Sequence, residues 1–190
     1  MKPLIVMALP MENVDGVLNA FGEVIYTGVG KVNATMVLTR RLTQGPLPEL
    51  VLNLGSAGAH QRPTGAIVAC TQFIEHDMDA TALGFGWGQT PFEDAIEIDS
   101  PLPPEWQQLN LPETVCHSGD RFVTEPHTFF EFDVVDMEGY ALAKVCKAFK
   151  LPFVSLKFIT DGADGQASND WPEALAQASR GLAAVLARLN

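Results

Sequence analysis

The sequence has little cysteine, little positive charge and no long apolar run, and each shortage excludes a class of protein. Cys70, Cys116 and Cys146 are the only cysteines in 190 residues; they lie far apart, with no CxxC and no histidine at metal-ligand spacing. Neither a disulfide framework nor a zinc site follows, so the expected setting is a reducing cytoplasm, with no metal and no other cofactor. Against 23 acidic residues stand 12 basic ones, a formal charge of −11. Such a chain repels nucleic-acid phosphates and anionic bilayers, so neither is an expected partner. The opening apolar run is broken by Pro10 and followed by Glu12; it is too short for a signal h-region or a membrane span and reads as a buried strand. Repeats, low-complexity tracts and internal boundaries are also missing, which leaves one domain over 1–190, long enough to bury its own core.

What is present is an alternation of two patterns. Near-continuous apolar runs at 4–7, 24–26, 50–54, 66–71 and 153–159 suit strands covered on both faces. Between them, residues 12–21, 32–42, 139–149 and 171–189 have helical spacing, the last with Asn169 or Asp170 as a cap and Pro172 in its first turn. Together these predict an α/β fold. Residues 79–112 are rich in Gly, Pro and aromatics and read as a long irregular excursion with one short helix at 104–109; such loops are functional or lie at an interface.

Chemistry concentrates at strand ends. "TGVGKVNA" (27–34), "NLGSAGAH" (53–60) and "SGDRFV" (118–123) read as glycine-bearing turns after strands, and "VDMEG" and "ITDGAD" place Glu138 and Asp161 at two further ends. In open α/β sheets such a rim outlines a pocket. "GVGKVNA" lacks both complete phosphate-loop spacings, and Ser56 in "GSAG" is not in a nucleophile elbow. His60, His76, His117 and His127 have no nucleophile beside them in sequence and read as solvated or structural. Glu12, Glu138 and Asp161 each follow an apolar run, where an unpaired carboxylate would cost several kcal/mol. Singly, each is explained by capping or by a solvated first turn. Jointly, they suit a pocket that binds hydroxyl groups and moves protons.

These stretches, with "GAIVACTQFIEHDMDATALGFGWGQTP" and "VVDMEGYALAKVC", resemble in order and character the nucleoside phosphorylase and nucleosidase family, and within it most closely the 5′-methylthioadenosine/S-adenosylhomocysteine nucleosidases. The resemblance implies a three-layer α/β/α fold with a mixed central sheet and a homodimer that cleaves the N-glycosidic bond of a purine nucleoside. It implies that Asp161 is the acid that protonates the leaving base and Glu12 the carboxylate that activates water. Glu138 would accept the ribose hydroxyls, with Met137 against the sugar, and Asp136 would serve structure. Phe122 would stack on the base while Val123 reads its edge, and Ser56, Ala57 and Gly58 would line the ribose. Leu9, Val29 and Trp171 would close over the base or the 5′ substituent; Ala80, Leu83 and Pro91 match positions that the partner contributes.

Family phosphorylases place an arginine before the glycine turn, where this chain has Leu52-Asn53, so water is the expected nucleophile. The chain is shorter than its relatives: a hairpin is absent between Phe21 and Gly28, and Lys157 stands where those relatives carry arginine. A phosphate-dependent phosphorylase and a trimmed, non-catalytic nucleoside-binding protein are the alternatives. A dinucleotide-dependent oxidoreductase would need a fuller glycine fingerprint.

Overall fold

The computed structural model describes residues 3–93, 95–123, 132–163 and 167–189, and of 167–173 the backbone alone. Its strands are β1 (Leu4–Met7), β2 (Glu23–Tyr26), β3 (Val51–Gly58), β4 (Ile67–Glu75), β5 (Glu97–Asp99), β6 (Glu113–Ser118), β7 (Val134–Asp136) and β8 (Phe153–Asp161). The helices are α1 (Lys31–Gln44), α2 (Pro104–Gln107), α3 (Gly139–Phe149) and α4 (Ala167–Leu186). The strands form one mixed sheet. β3 runs parallel to β1 and β8; β4 pairs antiparallel with β8 and β5 and parallel with β6; β7 joins β6 and meets β3 at Gly58↔Val135. The ring β3-β8-β4-β6-β7 therefore closes on itself, with β1 and β2 extending one side.

Side-chain alternation along β1 shows why helices cover both faces. Leu4 and Val6 join Leu38 and Leu42 of α1 and Leu142 and Cys146 of α3 in one apolar cluster. Ile5 and Met7 join Trp106 of α2 and Leu182 and Leu186 of α4 in the other. Each helix pair sits four residues apart, one turn on the same face. All nine positions of β8 are buried, as expected for a central strand with helices on both sides. Burial of each such leucine stabilises the fold by roughly 1.5 to 3 kcal/mol, so these stripes hold the layers together.

Four expectations need correction. Residues 12–21 form no α-helix: two short 3-10 segments, Pro10–Glu12 and Val14–Ala20, are bent where Asp15 and Gly16 take left-handed φ of 56° and 66°. Asn13 stabilises the bend, accepting the Leu18 N–H and donating to Asn19 and Tyr26, a local alternative to helical hydrogen bonding. "GSAG" is strand, not turn, because β3 continues through it to Gly58. Helix α4 already includes Asn169, Asp170 and Pro172, so neither cap residue stands at its start. The excursion over 79–112 also contains a 3-10 turn, Thr81–Leu83, and the strand β5, which pairs with β4. No hairpin lies between the second 3-10 segment and β2, and β2 forms the edge of the sheet.

Candidate active site

Because β1, β3 and β8 are parallel, their carboxyl ends share one rim, and the β3–β7 closure brings residues 135–138 to it. A cavity of about 210 Å³ opens there, lined by Leu9, Glu12, Val29, Ser56, Ala57, Gly58, Phe122, Val123, Met137, Glu138 and Asp161. Those are all the expected site residues except four. Ala80, Leu83 and Pro91 do not line it, Leu83 being 76% exposed; the Trp171 side chain lies outside the described residues, as do His127 and Asp164.

Glu12, 5% exposed, is brought to the cavity by the 3-10 turn after β1 rather than by a helix. One carboxylate oxygen accepts the Leu9 N–H at 3.1 Å; the other accepts both the Ser56 N–H at 3.0 Å and the Ser56 hydroxyl at 2.9 Å. A solvated first turn is thus excluded for Glu12. Asp161 ends β8, where its Oδ1 accepts the Ala163 N–H and its Oδ2 the Thr160 hydroxyl, both at 2.8 Å. A Cβ on Gly58 would stand 2.8 Å from Asp161 Oδ1 and 2.9 Å from Ala163 Cβ, so only glycine lets β3 approach this carboxylate.

Glu138 occupies the N-cap position of α3, but its side chain caps nothing. It reaches across the rim instead, and its Oε1 accepts the Gly30 N–H at 2.8 Å; Gly30 presents that amide with φ of 96°, a conformation that favours glycine. Burial, then the charge of Asp136, push the Glu138 carboxyl up to about 7, against the pull of Lys157 and the Gly30 amide. Asp136 performs the capping: it accepts the Gly139 N–H and the Ser118 hydroxyl, and it pairs with Lys157 at 2.7 Å with both side chains almost inaccessible. Burial works against the Asp136 charge, but Lys157 and these donors overcome it and hold its carboxyl below the usual range. Burial likewise opposes the Lys157 charge, and Asp136 more than offsets it. We expect Lys157→Met to lose about 3 to 5 kcal/mol in urea unfolding, because Asp136 is left charged and unpaired, and Asp136→Asn in the same chain to recover most of the loss.

Three polar cavity residues escaped the sequence reading of the site. Thr160 was legible as the neighbour of Asp161, and Arg121 as the cation inside "SGDRFV". Asn53 stands out in the sequence only as the absence of an arginine; in the fold it bridges strands, donating to the Val6 carbonyl and accepting the Ser155 hydroxyl.

The described histidines, His60, His76 and His117, do not line the cavity. His60 contacts the Gly162 carbonyl through Nδ1 at 2.6 Å, and His76 and His117 pack edge to face, ring centroids 5.9 Å apart. Burial, and then His76, lower the His117 pKa to about 4, with Asp133 opposing. The unfolded chain then binds a proton that the folded chain refuses between pH about 6.5 and about 4, so stability falls as pH drops through that window. The expected loss from His117 is about 3 kcal/mol, read as a fall in Tm that His117→Phe removes.

A mixed α/β sheet with buried carboxylates meeting in one sugar-sized cavity defines a member of the nucleoside-processing α/β class. The chain belongs to the phosphorylase superfamily, whose family model matches residues 23–189. It is similar to the 5′-methylthioadenosine/S-adenosylhomocysteine nucleosidase of Staphylococcus carnosus, 32% identical with 86% of this chain and 79% of that one aligned. The nucleosidase of the same name from Haemophilus influenzae (strain PittEE) is 34% identical over 85% of this chain and 77% of its own length. Among solved structures, a Helicobacter pylori nucleosidase mutant with 5′-methylthioadenosine in its active site matches at TM-score 0.86 and 26% identity, covering 99% of this chain and 97% of that chain. The fold is also that of the futalosine hydrolase of Helicobacter pylori, TM-score 0.85 at 24% identity.

Proposed function

We propose that the chain hydrolyses the N-glycosidic bond of a purine nucleoside, 5′-methylthioadenosine, S-adenosylhomocysteine or both, releasing adenine. The convergence of Glu12, Glu138 and Asp161 in one cavity carries this reading. Cleavage of a ribosyl C–N bond passes through an oxocarbenium-like centre, which needs a proton on the departing base and negative charge near the sugar. Asp161, at the end of β8, supplies the proton, with Phe122 on the face of the base and Val123 at its edge. Glu138 accepts the ribose hydroxyls, and Glu12 orients and deprotonates the attacking water.

Water rather than phosphate is the nucleophile because the Ser56 N–H and hydroxyl, the donors that an anion would use, are already taken by the Glu12 carboxylate. A second anion placed there would meet the charge of Glu12 without guanidinium compensation. Leu9 and Val29 line the wall for an apolar 5′ group, whose burial stabilises binding by roughly 1 to 2 kcal/mol for a methylthio substituent.

The active form is a homodimer in this reading. Val32 and Met36 project from one face of α1 with 76% and 56% exposure, and Leu83 and Phe92 of the 79–112 excursion with 76% and 94%. A second copy is the occupant that would cover them and bring Leu83 against a cavity that this chain's own Leu83 does not reach. Sedimentation velocity is expected to give a dimer that Val32→Glu with Met36→Glu converts to monomer. Among the described residues no helix is long and apolar enough to cross a membrane, and the reduced state of three buried cysteines suits the cytoplasm.

The test is release of free base from methylthioadenosine, adenosylhomocysteine, adenosine and inosine without phosphate. Adenine from the first two is expected. Strict dependence on phosphate would make the protein a phosphorylase, and no base from any of the four would leave only a binding protein.

A further inference from the structure

The cavity carries four acids, Glu12, Asp136, Glu138 and Asp161, and two cations that are used differently. Lys157 is spent on Asp136 in the floor. Arg121 lies at the rim, exposed, and no described residue offers it a carboxylate or another hydrogen-bond partner. Five other described cations pair with acids, Lys31 with Glu75 and Asp77, Arg41 with Glu23, Arg62 with Asp133, Lys144 with Glu93 and Lys157 with Asp136, whereas Arg40, Lys147 and Lys150, which pair with none among the described residues, lie away from the cavity. An exposed cation beside a cavity, with no partner among the described residues and in a chain of net charge −11, marks a place where an anion is favoured against the field of the whole molecule.

The position of Arg121 says which part of a ligand it meets. Its neighbour Asp120 accepts the Lys31 N–H and sits 3.0 Å from where a Gly30 Cβ would be; the Gly30 amide in turn holds Glu138. On its other side is Phe122. Arg121 therefore stands at the mouth, between the group assigned to the ribose and the group assigned to the base. With the base toward Asp161 and the sugar on Glu138, the 5′ arm is what remains to meet the rim.

Resting on the proposed nucleosidase reading, we infer that Arg121 selects nucleosides whose 5′ arm ends in a carboxylate. The guanidinium is a planar, permanently charged fork that takes a carboxylate through paired hydrogen bonds. Leu9 and Val29 line the same cavity, so an arm that reaches Arg121 combines an apolar linker with a terminal charge.

The experiment compares kcat/KM for S-adenosylhomocysteine, whose arm ends in an α-amino acid with a carboxylate beside an ammonium, with that for methylthioadenosine, whose arm carries no charged group. Arg121→Gln is expected to lower that ratio about tenfold, the effect of one charge-assisted contact, and Arg121→Lys to keep part of it. Raising the ionic strength should lower the ratio in the native chain and leave it unchanged in Arg121→Gln. Equal losses on both substrates, or a ratio insensitive to salt, would overturn the inference. Adenosine monophosphate is the third arm; preference for it over methylthioadenosine would assign Arg121 to a phosphate at C5′ and also overturn it. Base release from methylthioadenosine with an unresponsive ratio sinks this inference alone, whereas no release from any nucleoside sinks the nucleosidase reading beneath it.

Discussion

Asp161→Asn is expected to lower kcat roughly 10³-fold while leaving the fold intact. The substitution keeps the shape of the side chain and both of its contacts. The amide oxygen can still accept the Ala163 N–H, and the amide nitrogen can donate to the Thr160 hydroxyl, which has the Ala57 carbonyl 3.4 Å away as an acceptor of its own. Gly58 packs against the same atoms and finds no added volume. What is lost is the transferable proton. Measurement of kcat and Tm together separates these effects: a small change in Tm with a large loss of turnover is the expected pair. A nucleoside with a leaving group that departs without protonation should lose far less, because Asp161 has nothing to give it. Turnover of methylthioadenosine within tenfold of native would remove Asp161 from the role of acid.

Local pattern made legible the elements that are regular and covered. Helix α3 spans Gly139–Phe149, the residues its spacing predicts, because a stripe of Leu142, Val145 and Cys146 faces one cluster throughout. The first helix could not be read correctly: residues 12–21 have helical spacing, but Asp15 and Gly16 take a left-handed bend, and the separate 3-10 turn Pro10–Glu12 aims Glu12 at Ser56. The pattern ends β3 at its glycines, since without the approach of β8 nothing in "GSAG" distinguishes a turn from an extended segment that needs room for Asp161. The site acids were visible as carboxylates in apolar surroundings. Their partners were not, because the bond from Gly30 to Glu138 joins residues 108 apart in sequence and depends on the closure of the strand ring. Pattern alone does not separate Asp136 from Glu138 in "VDMEG"; the family resemblance assigns the sugar to Glu138 and structure to Asp136, and the ion pair with Lys157 is the contact that occupies Asp136.

Glu138→Gln is expected to change stability and activity in opposite directions. Glu138 is 8% exposed, and burial followed by the Asp136 charge raises its carboxyl from the ordinary 4.5 to about 7. The folded chain therefore keeps a proton that the unfolded chain has released between those two values, so this residue makes stability fall as pH rises from about 4.5 to about 7, with the full cost present above that. Glutamine has the shape of the protonated acid and no charge to desolvate, while its oxygen can still accept the Gly30 N–H. At pH 8 the variant should be more stable than the native chain by about 3 kcal/mol, and at pH 5 nearly equal to it. Activity should fall roughly 10²- to 10³-fold in kcat/KM, because two hydroxyls that would donate to a charged carboxylate find a single neutral acceptor. The native chain holds a destabilising charge at the place where a diol relieves it, so methylthioadenosine should raise the native Tm more at pH 8 than at pH 5 and raise the variant's less at either. A stability gain of equal size at both pH values would show that packing, not ionisation, sets the difference, and would detach Glu138 from the sugar.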